Sequence, residues 1–476
     1  MGRGSDRAAT PEKKNGIRER YFGDRYFYER ALLIAVPMIL QNLITNFVSM
    51  LDNIMVGQIG TAQMSGVSIA NQFIFVFNMA IFGGVSGASI FGTQFYGKGD
   101  PEGQRYTYRF RLYLTLALSV IFAAVFMCFD RQLIMLFLSA DDDPQLIAST
   151  LEYGREYLRL MVLSLLPFAV GQAYSSTIRE CGETRVPMIA SFTAVGVNLV
   201  LDYALIFGKF GLPCLGVAGA AIATIAAKVI EMAYMIVWTH RHLDRIPCMR
   251  GAYKSLRIPG DLAGRIFVKG CPLLVNELLW SLGMSVVAQS YSVRGIDVVA
   301  ARNIASVLVN LFNVVFVQMG SCTGIIVGTF LGADNKEDAV DSARKMTVFS
   351  LGLTVVTAVV LLPLSFWFPN IYNTEPEIRQ LATFYLLIQI PAMPIWSYTN
   401  SCYFILRSGG KTLITFLFDA IYTWLIMIPL AFILTHYTSM DIHLVMAIVT
   451  YSELIKVVVG YLMVRSGIWI NNIVSA

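Results

Sequence analysis

Few residues in this sequence could do chemistry, and the acids among them lie where acids are costly. Asp52 sits in Met50-Leu-Asp-Asn-Ile-Met-Val-Gly57, and Asp202 in Asn198-Leu-Val-Leu-Asp202-Tyr203, both within long apolar runs. A charge at the centre of a bilayer costs at least about 2.5–3.5 kcal/mol on insertion scales. Such a group needs a partner, a cavity or a function. Asn198 and Asp202 are four apart and share one helix face. An amide there can hydrogen-bond either form of a carboxyl, and two carboxylates brought together hold a proton more readily than one alone. Carboxylates and amides are also hard oxygen ligands suited to Na⁺. The chemistry permits binding of H⁺ or Na⁺; the plain alternative is that each acid sits at a span end, in the interface.

A second acid set lies further on. Glu277 follows Asn276 near the start of a span, and Asp419 lies beside Tyr422 and Trp424. Spacing places no second acid beside either, so a cavity or substrate site and a structural role both stay open. Lys228-x-x-Glu231 and Glu453-x-x-Lys456 put opposite charges three apart, which predicts ion pairs facing the bundle interior or a charged cavity lining. Arg179 and Arg407 end their spans, and are expected to snorkel to the interface and cap a tight turn. No nucleophile–base pair, metal cluster or phosphate loop appears at a recognisable spacing, so an enzyme is not expected. The seven Cys show no paired spacing and read as small buried hydrophobes. No cofactor, nucleic-acid partner or metal is expected, beyond Na⁺ at Asp52, Asn198 and Asp202.

These residues must be positioned by membrane helices. The 476 residues are 56% hydrophobic and 14% charged, against about 25% charged in soluble domains; the mean hydropathy is +0.62. A crossing helix needs about 20 apolar residues, and such runs are predicted at 31–56, 66–95, 107–129, 154–179, 187–208, 215–238, 266–292, 298–331, 346–369, 380–406, 412–434 and 442–465. Basic residues cluster on alternate loops and in the first 30 residues (Arg3, Arg7, Lys13, Lys14, Arg18, Arg20, Arg25, Arg30), while the loop at 130–153 is dominated by Asp141, Asp142 and Asp143. The positive-inside rule then places both termini in the cytoplasm. No cleaved signal peptide is expected. The expected division is a basic tail (1–30), a first lobe (31–239), a cytoplasmic linker (240–265), a second lobe (266–466) and a cytoplasmic C-terminus (467–476).

The halves repeat. Pro37 meets Pro272 at offset 235 (272 − 37), as do Gly60 and Gly295, Ile69 and Ile304, and Ala70 and Ala305. Arg179-x-x-Gly182-x-Thr184 returns as Arg407-x-x-Gly410-x-Thr412 at offset 228 (407 − 179), where Lys228 also meets Lys456. Six spans per copy keep both copies in one orientation, so parallel repeats about an axis along the membrane normal are predicted. The acids do not repeat: Asp52 meets Val287.

The chain resembles the multidrug and toxic compound extrusion (MATE) family over nearly all residues after 30, and its DNA-damage-inducible branch most. The carriers are Pro37 with Asp52-Asn-Ile-Met-Val-Gly57, the paired Arg-x-x-Gly-x-Thr turns, Asn198-x-x-x-Asp202 and Gly219-Ala-Ala-Ile-Ala-Thr224. The resemblance implies an all-α integral membrane fold of twelve helices in two pseudo-symmetric six-helix lobes forming a V. It implies H⁺- or Na⁺-driven export of cationic, amphipathic compounds from a monomer in the inner or plasma membrane. Asp52, Asn198 and Asp202 match that branch's coupling site, with Thr224 a fourth member. Glu277 could match the seventh-span acid of other branches; their tenth-span acid has no counterpart in Pro394-Ile-Trp-Ser-Tyr-Thr-Asn400. A flippase for lipid-linked precursors and a non-transporting receptor are the alternatives.

Overall fold

The computed structural model describes residues 17–138, 144–372 and 374–475; Arg3, Arg7, Lys13, Lys14 and Asp141–Asp143 lie outside them. The described residues contain helices and no strand. Twelve long helices follow in order. The first lobe holds α1 (Arg25–Gly57), α2 (Thr61–Lys98), α3 (Pro101–Cys128), α4 (Pro144–Glu180), α5 (Arg185–Phe207) and α6 (Gly216–Arg241). The second holds α7 (Gly260–Ser292), α8 (Ile296–Gly332), α9 (Lys336–Trp367), α10 (Pro376–Ser408), α11 (Thr412–His436) and α12 (Ile442–Arg465).

Sequence fixes several helix starts. Asp24 caps α1 by accepting from the Phe27 amide, and Asp100 caps α3 by accepting from the Glu102 and Gly103 amides, with Pro101 at the first turn. α4 begins ten residues before the predicted 154, and α7 begins at Gly260 rather than 266. A helix needs no lipid contact to continue, so apolar runs underestimate its length. Two spans are irregular. The middle of α11, Leu417–Met427, is a π-helix, and α12 is interrupted between Tyr451 and Leu454.

Eleven of these helices are long and apolar enough to cross a membrane; α10 falls outside that set. Gln389, Pro391, Pro394, Ser397, Thr399 and Asn400 lower its hydropathy. It can carry them because it faces protein, packing on α8, α9 and α12 with Gln389, Ser397 and Thr399 buried.

The lobes pack alike: α2 on α4 and α1 on α5 in the first, α8 on α10 and α7 on α11 in the second. They meet through α2 with α7, and α8 with α1 and α2. Gly87 and Gly270 touch backbone to backbone there, and a Cβ on Gly87 would overlap the Gly270 Cα. Apolar contacts continue the seam: Ala35 and Met38 with Met319 and Cys322, and Phe91 with Ile266 and Leu273. These clusters sit towards the side that carries both termini.

Residues 467–475, predicted as a cytoplasmic C-terminus, pack across that side. Gln94 of the first lobe donates through Nε2 to the carbonyls of Ser408 (2.9 Å) and Asn471 (3.1 Å), and accepts from the Ile473 amide (2.8 Å). Lys98 donates to the Val474 carbonyl at 2.7 Å. The side bearing the termini is thereby closed.

Candidate functional site

In the first lobe, α5 brings Asp202 against Asp52 near the end of α1, with Asn198 one turn before Asp202. Asp202 is fully buried and Asp52 partly so. The two carboxyl groups face each other at hydrogen-bonding range, but two carboxylates cannot use it, because both only accept. The Asn198 amide interacts with the Asp202 carboxyl, but among the described residues no hydrogen bond of good geometry is formed by Asn198 Nδ2, by either oxygen of Asp202 or by Oδ1 of Asp52. A buried charge without a partner is strongly disfavoured. This pair therefore has the chemistry of a receptor for a proton or a small monovalent cation.

Two residues that sequence reasoning missed complete the surroundings. The buried Tyr157 of α4 has its hydroxyl near Thr224 of α6 and Asn71 of α2, and lies close enough to both acids to feel their charge. Tyr157 lies in a run of ordinary amphipathic pattern, and no spacing rule ties it to Asp52.

Below the pair runs a polar chain. Lys228 Nζ meets Glu231 Oε2 at 3.1 Å. Ser191 donates to Glu231, Gln41 Nε2 donates to Ser191 Oγ (2.7 Å), and Arg179 Nη2 donates to Gln41 Oε1 (2.6 Å).

The second lobe joins its acids through a comparable chain. Lys456 Nζ meets Asp419 Oδ1 at 2.8 Å and Glu453 Oε1 at 3.3 Å. Asn276 Nδ2 donates to Asp419 Oδ2 (3.1 Å), and Tyr403 lies between Asn276 and Glu277 with both contacts at 3.4 Å. Tyr422 shares a hydrogen bond with Ser452 (2.8 Å) and stands under the Lys456 ammonium. Glu277 and Asp419, which spacing left apart, are thus linked.

The repeat offsets align the two chains. At 235, Gln41 meets Asn276; at 228, Ser191 meets Asp419 and Lys228 meets Lys456. Each lobe has an amide on its first helix, a polar partner on its fifth and a lysine on its sixth. That match was readable in the sequence from the offsets already in hand.

Arg179 and Arg407 do not snorkel to the interface. Both line a pocket of about 110 Å³ between the lobes, with Met38, Glu180 and Phe404. Arg407 is buried, stacks over Phe404 at 5.1 Å and leaves Nη1 unpartnered. The turns beyond them are tight: Gly182 (φ +85°) and Gly410 (φ +73°) take the left-handed conformation that ends a helix, which explains the glycine in the repeated motif. Sequence reasoning also missed a buried ion pair beside this pocket, between Arg111 of α3 and Glu180, with Arg111 Nη1 donating to Thr177 at 2.7 Å.

Comparison with known proteins places this architecture. The MatE family pattern matches residues 37–204 and again 272–433, two copies that start 235 residues apart (272 − 37). A probable multidrug resistance protein NorM of Thermotoga maritima is 25% identical over 421 residues, covering 86% of each chain. The probable multidrug resistance protein YoeA of Bacillus subtilis is 23% identical, covering 86% of this chain and 87% of its own. An outward-facing multidrug resistance MATE transporter of the MOP superfamily superposes with a TM-score of 0.83 at 17% identity, over 96% of this chain and 98% of that one. A MOP superfamily transporter from Pyrococcus furiosus, described for the reverse polarity of its binding pocket, superposes with a TM-score of 0.79 at 17% identity and the same coverage. With two matches of the family pattern, one in each six-helix lobe, this chain belongs to the MatE family of membrane transporters.

Proposed function

We propose that this protein is a secondary antiporter that exports organic amphiphiles across the cytoplasmic membrane in exchange for H⁺ or Na⁺ held at Asp52 and Asp202. The carrying observation is the carboxyl pair, Asp202 buried and Asp52 half-buried, brought together with no hydrogen bond of good geometry to either oxygen of Asp202. A proton or Na⁺ between the two relieves their repulsion, and Asn198 with the Tyr157–Thr224 hydroxyls supplies further oxygens beside it. Loading drives transport only if the pair binds the ion differently in the two facing states. Asp52 lies on the helix that contains Pro37, so neutralising it bears on how α1 bends. The basic loops favour cytoplasmic termini. The closed side is then the cytoplasmic one, and the described state faces outward. The names of the NorM and YoeA relatives favour drug-like cargo.

Arg179 and Arg407 favour a second reading. Two guanidinium groups in the inter-lobe pocket suit an anionic headgroup better than a cation, as in a flippase for lipid-linked precursors. Proteoliposomes test both. Uptake of a fluorescent organic cation should follow an imposed pH or Na⁺ gradient and disappear in Asp202→Asn. The ion whose gradient alone suffices is the coupling ion. Translocation of an anionic headgroup, with no cation movement under either gradient, would replace the first reading by the second.

A further inference from the structure

The linker between the lobes folds against the start of α3 and forms a basic bowl of about 750 Å³ on the side that carries the termini. Five cations line it, Arg105, Arg109, Arg250, Lys254 and Arg257, against one acid, Glu102. Glu102 accepts from the Tyr106 hydroxyl at 2.6 Å. Among the described residues none of these charges is in an ion pair.

Two of the arginines hold the bowl's frame. Arg109 is buried and donates to the carbonyls of Ala252 (2.8 Å), Arg257 (3.0 Å) and Gly251 (3.3 Å). Arg105 donates to the Cys248 carbonyl at 3.0 Å. Carbonyls satisfy N–H groups but supply no counter-charge, so the positive potential stays uncompensated. Arg250, Lys254 and Arg257 are exposed at the rim.

An exposed apolar stripe leads from the bowl down α3. Tyr106, Tyr113, Val120 and Met127 recur every seven residues and form one stripe of α3. Tyr106 lines the bowl; Tyr113, Val120 and Met127 are exposed down the helix. Tyr113 donates to the Leu256 carbonyl at 2.7 Å, and the Leu256 side chain is itself exposed. A molecule with its charge in the bowl can lay an apolar tail along that stripe, which free phosphate cannot do.

We propose that this bowl binds the phosphate of an anionic lipid from the adjoining leaflet, held by Arg250, Lys254 and Arg257. Basic pockets beside membrane helices recognise such headgroups through charge and hydrogen bonding to phosphate. The bowl is built from the segment that joins the lobes, so the bound lipid tethers that segment to the leaflet. The assignment does not depend on which ion or cargo is transported.

Native mass spectrometry of the full chain in detergent tests it, with phosphatidylglycerol and phosphatidylcholine offered at equal concentration. Wild-type protein should retain phosphatidylglycerol in preference, and R250Q/K254Q/R257Q should lose that preference by about tenfold or more. The control R185Q/R241Q/K336Q removes the same charge outside the bowl and should keep it. Circular dichroism and a monodisperse elution profile establish that the variants fold, and K254Q alone gives an intermediate value if the triple variant does not. Inorganic phosphate in millimolar excess should leave the lipid bound. Displacement by phosphate would reassign the bowl to a free anion and overturn the lipid assignment. Equal retention of the two lipids by wild-type protein, or the same loss in the control, would overturn the site.

Discussion

The two lobes share a fold and a polar framework, and differ in what they leave unpaired. At equivalent places each has an amide (Gln41, Asn276), a fifth-helix partner (Ser191, Asp419) and a lysine (Lys228, Lys456). In the second lobe that framework is closed on itself, because Lys456 meets both Asp419 and Glu453. The first lobe adds a layer above its own lysine, the Asp52–Asp202 pair. At the offsets of the repeat these positions are Val287 and Leu430 in the second lobe, within its apolar core. One copy of the repeat thus uses these positions for packing. The other places two acids there, and no hydrogen bond of good geometry reaches either oxygen of Asp202.

The largest test of this contrast is transport. Asp202→Asn should abolish gradient-driven movement of cargo while leaving thermal stability unchanged or raised, since it removes a buried like-charge repulsion. Asp419→Asn should keep gradient dependence but lower stability, because Lys456 loses its nearest partner. If both variants fail in the same way, the two acid sets are not different in kind.

The next effect is on folding. Truncating one member of a buried ion pair costs about 3–5 kcal/mol, because it leaves the other charge without compensation. Lys456→Met should approach that range in thermal or denaturant unfolding, since it strands Asp419 and Glu453 together. The double variant Lys456→Met with Asp419→Leu should recover part of the loss. Lys228→Met should cost less, because Lys228 is 27% exposed against 11% for Lys456; it should instead alter ion dependence, since Lys228 acts on Asp52. Equal losses at the two lysines would show that the frameworks are energetically alike.

A smaller effect separates the two amides. Gln41 both donates to Ser191 and accepts from Arg179. Gln41→Leu leaves the half-buried Arg179 without that acceptor, at a cost of about 1–3 kcal/mol. Asn276→Leu leaves Asp419 its lysine, and should cost less in the same unfolding measurement.

Much of this was legible from the residues alone. Apolar length predicted twelve spans, and eleven of the twelve long helices are apolar enough to be such spans, all but α10. The four-residue spacing of Asn198 and Asp202 gave the face of α5 on which both lie buried. Contacts between helices were not legible: Tyr157 and Asn71 reach the site from α4 and α2 with no periodic signal. The inward course of Arg179 and Arg407 was missed because a span-end arginine in lipid snorkels outward, whereas here the other lobe lies beside it. The π-helical stretch that carries Asp419 keeps a helical hydrophobic pattern, so composition does not distinguish it.

The smallest effect lies outside the membrane, on the side opposite the termini, where the lobes again differ. In the first lobe Asp130 meets Arg155 at 3.1 Å and Arg159 at 2.5 Å. Burial opposes its ionisation, but Arg155, the Arg131 amide and Arg159 outweigh it and hold the carboxyl below the usual range. In the second lobe Asp441 is fully exposed, and is lowered by the His443 amide and ring. A lowered folded-state value means that the stabilisation is complete above the unfolded carboxylate value of about 4. It is lost as pH falls through the folded value. Arg155 and Arg159 are 34% and 50% exposed, so solvent screening limits the contribution to about 1 kcal/mol or less. Thermal unfolding of wild-type protein and Asp130→Asn should therefore differ most near pH 6 and converge towards pH 3. An Asp441→Asn variant should show a smaller gap that closes in the same direction. A gap at Asp130 that widens on acidification would mean that the two arginines do not hold this carboxylate.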